Sequence, residues 1–280
     1  MTREIITMNA VDWFITNNCN QAKFCRFCFA PWKVFPPDVS IERALQICER
    51  LIEVGVQTVT LAGGEPFQYP GLPTIVHKLH SGGIKVVLYT SATSDRHDWE
   101  QFLPYLHFIS LPIDAITPAI VEQMRGTDQL TRVSAVIRKL SALSRRPKLK
   151  IGTVVTKQNI GDLRAIYAFL CAQEIVDVWR LYQFSPYGIG KRHQDLFELS
   201  VSAFQTAVTE IKKKHAHRFI ISERSREDNK GYCMIMDSGG SFYRYEERYI
   251  PLGVTIFDTI ENVIEQYDQK KHWRQKKWQK

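Results

Sequence analysis

Three cysteines fall within ten residues, Cys19, Cys25 and Cys28 in CNQAKFCRFC, directly after an apolar run that reads as a strand. Thiolates are ligands for soft metals and for iron-sulfur clusters. A four-iron cubane normally takes four cysteines, so three on one short loop leave one iron open for chemistry. A structural zinc site needs four Cys or His ligands, and the first histidine is His77. Disulfides belong to secreted chains, and Met1 to Ala10 lacks the positive segment and apolar stretch of a signal peptide. The iron-sulfur reading leads, with zinc and disulfide pairing as its rivals.

A second short stretch, Gly63-Gly64-Glu65-Pro66, closes the next β-rich run, Thr58 to Leu61. Together the two stretches resemble the signature motifs of the radical SAM enzymes. That family usually carries CxxxCxxC with an aromatic before the third cysteine, a place filled here by Phe27, and a GGEP turn after the next strand. The first cysteine gap is five residues instead of three. The resemblance implies a [4Fe-4S] cluster on Cys19, Cys25 and Cys28, with S-adenosylmethionine chelating the open iron through its amino and carboxylate groups. One electron would then break a sulfur-carbon bond to give methionine and a 5′-deoxyadenosyl radical. An electron donor such as a flavodoxin or ferredoxin is implied as a partner.

Further contacts with S-adenosylmethionine follow from the same resemblance. Gly63, Gly64, Glu65 and Pro66 would hold the methionine end beside Phe27. Thr90 and Ser91, at the end of the third strand, would meet the ribose, although such hydroxyls also bond their own turns. Asp114 ends the fourth strand, and Pro112 stands where many members have a hydroxyl. Arg125, before Gly126, would pair with the methionine carboxylate, a task that suits its forked guanidinium. Gly152 and Val155 mark the fifth strand, where an adenine ring packs against backbone. Lys157, Arg180, Tyr182, Lys191 and Arg192 are candidates for an acidic substrate, and the same residues also describe a solvated loop.

The elements that must position these residues alternate between strand and helix. Strands are expected at Ala10 to Thr16, Thr58 to Leu61, Ile84 to Tyr89, Phe108 to Ile113, Leu149 to Val155 and Val176 to Phe184. The loop Ala30 to Asp38, with Pro31, Pro36 and Pro37, folds over the cluster site. Ser40 caps a helix with Ile41, Ala44, Leu45, Cys48, Leu51 and Ile52 on one face, ended by Gly55. Further helices are expected at Pro70 to His80, at Leu130 to Leu143, after Asn159 as a possible cap, and at Val201 to Lys214. Cys48 and Cys171 read as core. Arg218 to Ile221, Tyr232 to Met236 and Ser241 to Tyr245 read as short strands, the last two joined by a hairpin. Asp258 and Glu261 form a capping box for a helix to about Tyr267.

This pattern predicts an α/β fold, a partial (β/α)6 TIM-type barrel with a small C-terminal β/α extension. The resemblance covers Val11 to Ser185 and implies the same barrel, with ligands at the C-terminal ends of the strands. The expected division is residues 1–216 for the barrel, 217–268 for the extension and 269–280 for a basic tail. The net charge is +8. The tail holds six cations (Lys270, Lys271, Arg274, Lys276, Lys277, Lys280) and no acid, which leaves about +2 for the rest. A nucleic-acid role for the tail with Trp273 and Trp278 is therefore disfavoured. No apolar run spans a bilayer, and a cytoplasmic enzyme is expected.

The resemblance suggests a radical enzyme acting on a small polar or phosphorylated metabolite or nucleotide, and CRFCFAP, GGEP and KIGTVVTKQN are similar to stretches of viperin-type members. Modification of a peptide or protein, including glycyl-radical activation, is the second reading. Outside the triad and the two core positions only Cys233 remains, which disfavours an auxiliary cluster. Cys233 and Tyr182 are candidate hydrogen-atom donors. A non-catalytic metal or RNA-binding module is the reading from a different class.

Overall fold

Strands buried on both faces read as unbroken apolar runs, and β1 (Ala10–Thr16) is one, with only Asp12 less than fully buried. It lies centrally in a ten-stranded sheet seen in a computed structural model. The structure describes residues 8–30, 34–94, 96–126, 129–213, 218–230, 232–246, 248–259 and 262–263. The basic tail, Glu261 of the expected capping box, most of the last helix and Pro31 lie outside the described residues.

All six expected strands form, with bounds shifted by two residues at most. They are β1, β2 (Thr58–Gly63), β3 (Lys85–Tyr89), β4 (Phe108–Pro112), β5 (Lys148–Val155) and β6 (Val176–Gln183). They pair in parallel in sequence order. The crossovers carry α1 (Ile41–Glu53), α2 (Leu72–Ser81), α3 (Pro118–Arg125), α4 (Gln129–Ser141) and α5 (Leu163–Cys171). After β6 come a short α6 (Gln194–Phe197) and α7 (Val201–Lys213).

Local chemistry sets these boundaries. The Ser40 side chain accepts from the Arg43 amide at 3.3 Å to start α1, and Gly55, at φ +75°, ends the connection from it in a conformation other residues resist. The buried face of α1 is Ala44, Ile47, Cys48 and Leu51. Ile41, Leu45 and Ile52, expected inward, are half-buried, because the helix is turned to bring Ile47 against the sheet. Each fully buried aliphatic chain there stabilises the fold by about 1.5–3 kcal/mol. Cys48 is core as expected, whereas Cys171, at the last turn of α5, is only half-buried.

The C-terminal strands join the same sheet as the six barrel strands. β7 (Ile220–Arg224) pairs in parallel with β6 at one edge. At the other side β8 (Tyr232–Met236) pairs in parallel with β1, followed by antiparallel β9 (Ser241–Tyr245) and β10 (Tyr249–Thr255). The sheet is not closed: β7 and β10 are its edges. The expected turn joins β8 to β9, where the Asp237 carboxylate accepts from the amides of Gly239 at 2.9 Å and Ser241 at 3.0 Å. Strand β10 was not among the expected elements. It contains Pro251 and Gly253, residues that weaken a strand but are tolerated at an edge.

Candidate active site

The C-terminal ends of the parallel strands open into a cavity of about 360 Å³, lined by Cys19, Cys25 and Cys28 on one side and by Tyr182, Arg224 and Tyr249 on others. The cysteine loop follows β1 and is wound by its own backbone bonds, Cys25 amide to Gln21 carbonyl at 3.0 Å and Cys28 amide to Cys25 carbonyl at 3.0 Å. Each sulfur accepts a hydrogen bond. The Gln21 amide donates to Cys19 Sγ at 3.4 Å, Arg125 Nη1 to Cys25 Sγ at 3.3 Å, and the Ala30 amide to Cys28 Sγ at 3.4 Å. Donors aimed at sulfur favour the thiolate and tune a metal cluster bound to it.

Burial pushes the Cys19 thiol up to about 11. The hydrogen bond shared by Cys25 and Cys28 holds Cys28 below its ordinary value and Cys25 above it. Loading iron must therefore displace protons from this loop. Among the described residues no three Cys, His, Asp or Glu side chains are gathered to hold one metal ion. In a cubane each iron takes a single thiolate, so thiols set round a cavity suit it. The donor set and its sulfur hydrogen bonds fit a [4Fe-4S] cluster on Cys19, Cys25 and Cys28.

The glycine pair has a steric reason that the sequence does not display. A Cβ on Gly63 would lie 2.3 Å from the Thr16 carbonyl oxygen, and one on Gly64 would lie 2.2 Å from that of Asn18. Gly63 also has φ +129°. These residues press β2 against the root of the cysteine loop, where the Gly64 amide donates to the Thr16 carbonyl at 2.7 Å and the Glu65 amide to that of Asn18 at 2.8 Å.

Glu65 then ties β2 to the end of β3. Its carboxylate accepts from Thr90 Oγ1 at 2.6 Å, the Ser91 amide at 2.7 Å, Ser91 Oγ at 2.5 Å and the Phe67 amide at 3.2 Å. Burial pushes its carboxyl up, against those hydrogen bonds. The Thr90 and Ser91 hydroxyls, expected near a ribose, point to Glu65. Pro66 is buried in the short turn that follows.

Arg125 and Asp114 form a second tie. Arg125 Nε and Nη2 reach Asp114 Oδ2 at 2.7 and 2.5 Å, while the Val154 amide donates to Asp114 Oδ1 at 2.7 Å. Burial opposes the Arg125 charge, but Asp114 and Cys25 outweigh it and hold its pKa above the ordinary value. The guanidinium also lies 4.7 Å from the Phe27 ring centroid. One side chain thus links α3, β4 and the cysteine loop.

Side-chain alternation sorts the remaining candidates. Gly152, Val154 and Tyr182 line the cavity, and Val155, one residue on, packs in the main core under the helices. Arg180 is buried on the inward face beside Tyr182 and donates to Ser222 Oγ at 3.0 Å. Lys157, Lys191 and Arg192 are exposed and do not line the cavity. Asn159 makes no helix cap. Its side chain is fully buried, accepting from the Thr156 amide at 2.7 Å and donating to the Asp114 and Val154 carbonyls at 2.7 and 2.8 Å.

Three polar residues of the inner wall were missed. Lys150, fully buried on β5, donates from Nζ to the Tyr89 hydroxyl and sits 3.8 Å from that ring's centroid. Arg224 on β7 is in register with Tyr182 and lines the cavity. Asp12 on β1 lines it from the other side. Lys150 was legible: it shares the parity of Gly152 and Val154 within a single strand. Burial lowers the Arg180 pKa, and the neighbouring Tyr182 and Tyr89 oppose that shift.

Comparison with known proteins gives the family. The family model described as the radical SAM superfamily matches residues 13–170. The chain is 27% identical over 264 residues to an S-adenosylmethionine-dependent nucleotide dehydratase of Flammeovirga pacifica, covering 88% of each chain. It is 28% identical over 174 residues to a probable GTP 3′,8-cyclase of Sulfolobus acidocaldarius, covering 59% of this chain and 54% of that one. Among solved structures, Streptococcus suis SuiB bound to S-adenosylmethionine superposes with a TM-score of 0.68 at 14% identity, covering 97% of this chain and 68% of that one. At that identity the likeness concerns the fold.

Proposed function

The chain belongs to the radical SAM superfamily, and from that premise we propose that its substrate is a phosphorylated nucleoside held in the barrel cavity. The family uses a [4Fe-4S] cluster to pass one electron to S-adenosylmethionine, which yields a 5′-deoxyadenosyl radical able to take a hydrogen atom from a substrate C–H. Cys19, Cys25 and Cys28 would hold the cluster. Arg125, tied to Asp114 and Cys25, would fix the loop against α3 and border the S-adenosylmethionine site.

The observation that carries the substrate reading is a cation on the cavity wall. Arg224 lines the cavity in register with Tyr182, and Arg180 and Lys150 lie buried behind that wall on β6 and β5. A phosphate chain in the cavity would meet the Arg224 guanidinium, whose planar fork suits phosphate oxygens, within the field of the two cations behind it. The similarity to a nucleotide dehydratase over most of both chains supports the same class. Phe14, Tyr245 and Tyr249 add aromatic surface to the cavity, suited to a base or sugar face.

The test is binding by ATP, GTP, CTP and UTP, measured by titration calorimetry on the anaerobically reconstituted protein with S-adenosylmethionine present. At least one triphosphate should bind, and Arg224→Met should weaken it about tenfold or more, the scale of a lost charge-assisted hydrogen bond. S-adenosylmethionine affinity should stay within about twofold. If no triphosphate binds, or the variant binds as the parent does, the nucleotide reading fails and a peptide substrate becomes the better one.

A further inference from the structure

The cysteine loop and the segments packed on it carry exposed cations that do not line the cavity. Lys23 and Arg26 lie on the loop itself, and both are exposed. The segment after β6 packs directly on that loop: the Gly190 amide donates to the Cys28 carbonyl at 2.9 Å, and a Cβ on Gly188 would lie 2.7 Å from the Ala30 carbonyl oxygen. This segment carries exposed Lys191 and Arg192. Lys157 joins them, its amide donating to the Phe197 carbonyl at 3.2 Å and its Nζ to the Asp195 carbonyl at 3.4 Å. Within these segments the exposed carboxylate is Asp195.

Apolar side chains sit among the charges. Phe24 is 43% exposed, Phe29 49% and Leu196 42%, three of the six large hydrophobics exposed in the described structure. Half of that set is therefore gathered round one loop. Apolar centres within a charged rim are the usual anatomy of a transient protein contact.

We propose that this face, Lys23, Arg26, Lys157, Lys191 and Arg192 around Phe24 and Phe29, docks a small acidic one-electron carrier protein. The inference rests on the radical SAM chemistry but not on the identity of the substrate. Each reductive cleavage needs one electron from outside, so the carrier is oxidised by one electron as the cluster is reduced by one. No bond forms or breaks at the face. The loop that would hold the cluster is the same loop that bears Lys23, Phe24, Arg26 and Phe29, so a carrier seated there would rest on that loop. Like charge elsewhere on the surface does not offer that proximity. An acidic partner is steered to such a patch in a salt-dependent way, with screening over about 8 Å at physiological ionic strength.

The experiment is anaerobic stopped-flow reduction of the reconstituted protein by reduced flavodoxin, followed as bleaching of the cluster's visible absorbance at low and high salt. The triple variant Lys23→Glu, Lys191→Glu, Arg192→Glu is compared with the parent and with Arg132→Glu, Arg138→Glu, Lys139→Glu, which makes the same charge change on α4. The first variant should slow reduction about tenfold or more at low salt and lose most of the salt dependence. Reduction by dithionite and iron content should match the parent in both variants. Equal rates in the first variant and the parent, or an equal loss in the α4 variant, would overturn the proposal. Because the readout is cluster absorbance, failure of the nucleotide reading would leave it untouched.

Discussion

At the scale of single residues, most polar side chains at the cavity rim are committed to one another before any ligand arrives. Glu65 accepts from four donors of its own chain, and Asp114 accepts from Arg125 and the Val154 amide. Fixed dipoles of this kind cost nothing to reorganise when a charged ligand binds. Arg125 shows what such a tie is worth. Its side chain is 11% exposed and that of Asp114 1%, so Arg125→Ala strands a buried carboxylate. Arg125→Ala should lose about 3–5 kcal/mol in urea unfolding of the iron-free protein. A loss below about 1 kcal/mol would mean that water, not Arg125, compensates Asp114. These roles were only partly legible. The cysteines, the glycine pair, Asp114 and Arg125 announce themselves as local patterns, but Thr90 and Ser91 could not be assigned to Glu65, because that bond joins residues 25 and 26 positions apart.

At the scale of elements, the junction of β1 and β2 sets where the cysteine loop begins. A methyl group on Gly64 would occupy the space of the Asn17–Asn18 backbone, which cannot move aside like a flexible side chain. Gly64→Ala should therefore shift the loop root, lower the iron bound per chain after reconstitution to under about half, and cost about 1–3 kcal/mol in stability. Iron content equal to the parent would show that the loop tolerates the displacement. The strands β1 to β6 were readable because parallel strands buried on both faces give unbroken apolar runs. That same continuity hid the inward residues. KIGTVV shows no alternation of polar and apolar types, so Lys150, marked only by the parity of its strand, was missed, and Val155 was taken for a cavity residue in place of Val154. Strand β10 escaped notice because Pro251 and Gly253 read as breakers, and helix α3 because it has only eight residues.

At the scale of the molecule, one open sheet carries two chemically different surfaces at the C-terminal ends of its strands. Inside, β5, β6 and β7 bring Lys150, Arg180 and Arg224 to the inner wall. Outside, the cysteine loop and the segment after β6 share a basic rim. The C-terminal strands add to both edges of the same sheet, so Arg224, Tyr245 and Tyr249 reach the cavity from segments distant in sequence. Among the described residues no helix is long and apolar enough to cross a membrane. Composition gave the net charge but not this division, since the basic tail dominates the total and the inner cations are a small part of it.

The most direct measurement is isotope transfer. The reconstituted protein is given dithionite, S-adenosylmethionine and each nucleoside triphosphate with a perdeuterated ribose, and the 5′-deoxyadenosine formed is weighed by mass spectrometry. The account predicts that one nucleotide raises 5′-deoxyadenosine formation above the substrate-free rate and leaves deuterium in it, and that Cys25→Ala makes none. Formation of 5′-deoxyadenosine that is unlabelled and indifferent to every nucleotide would contradict the account.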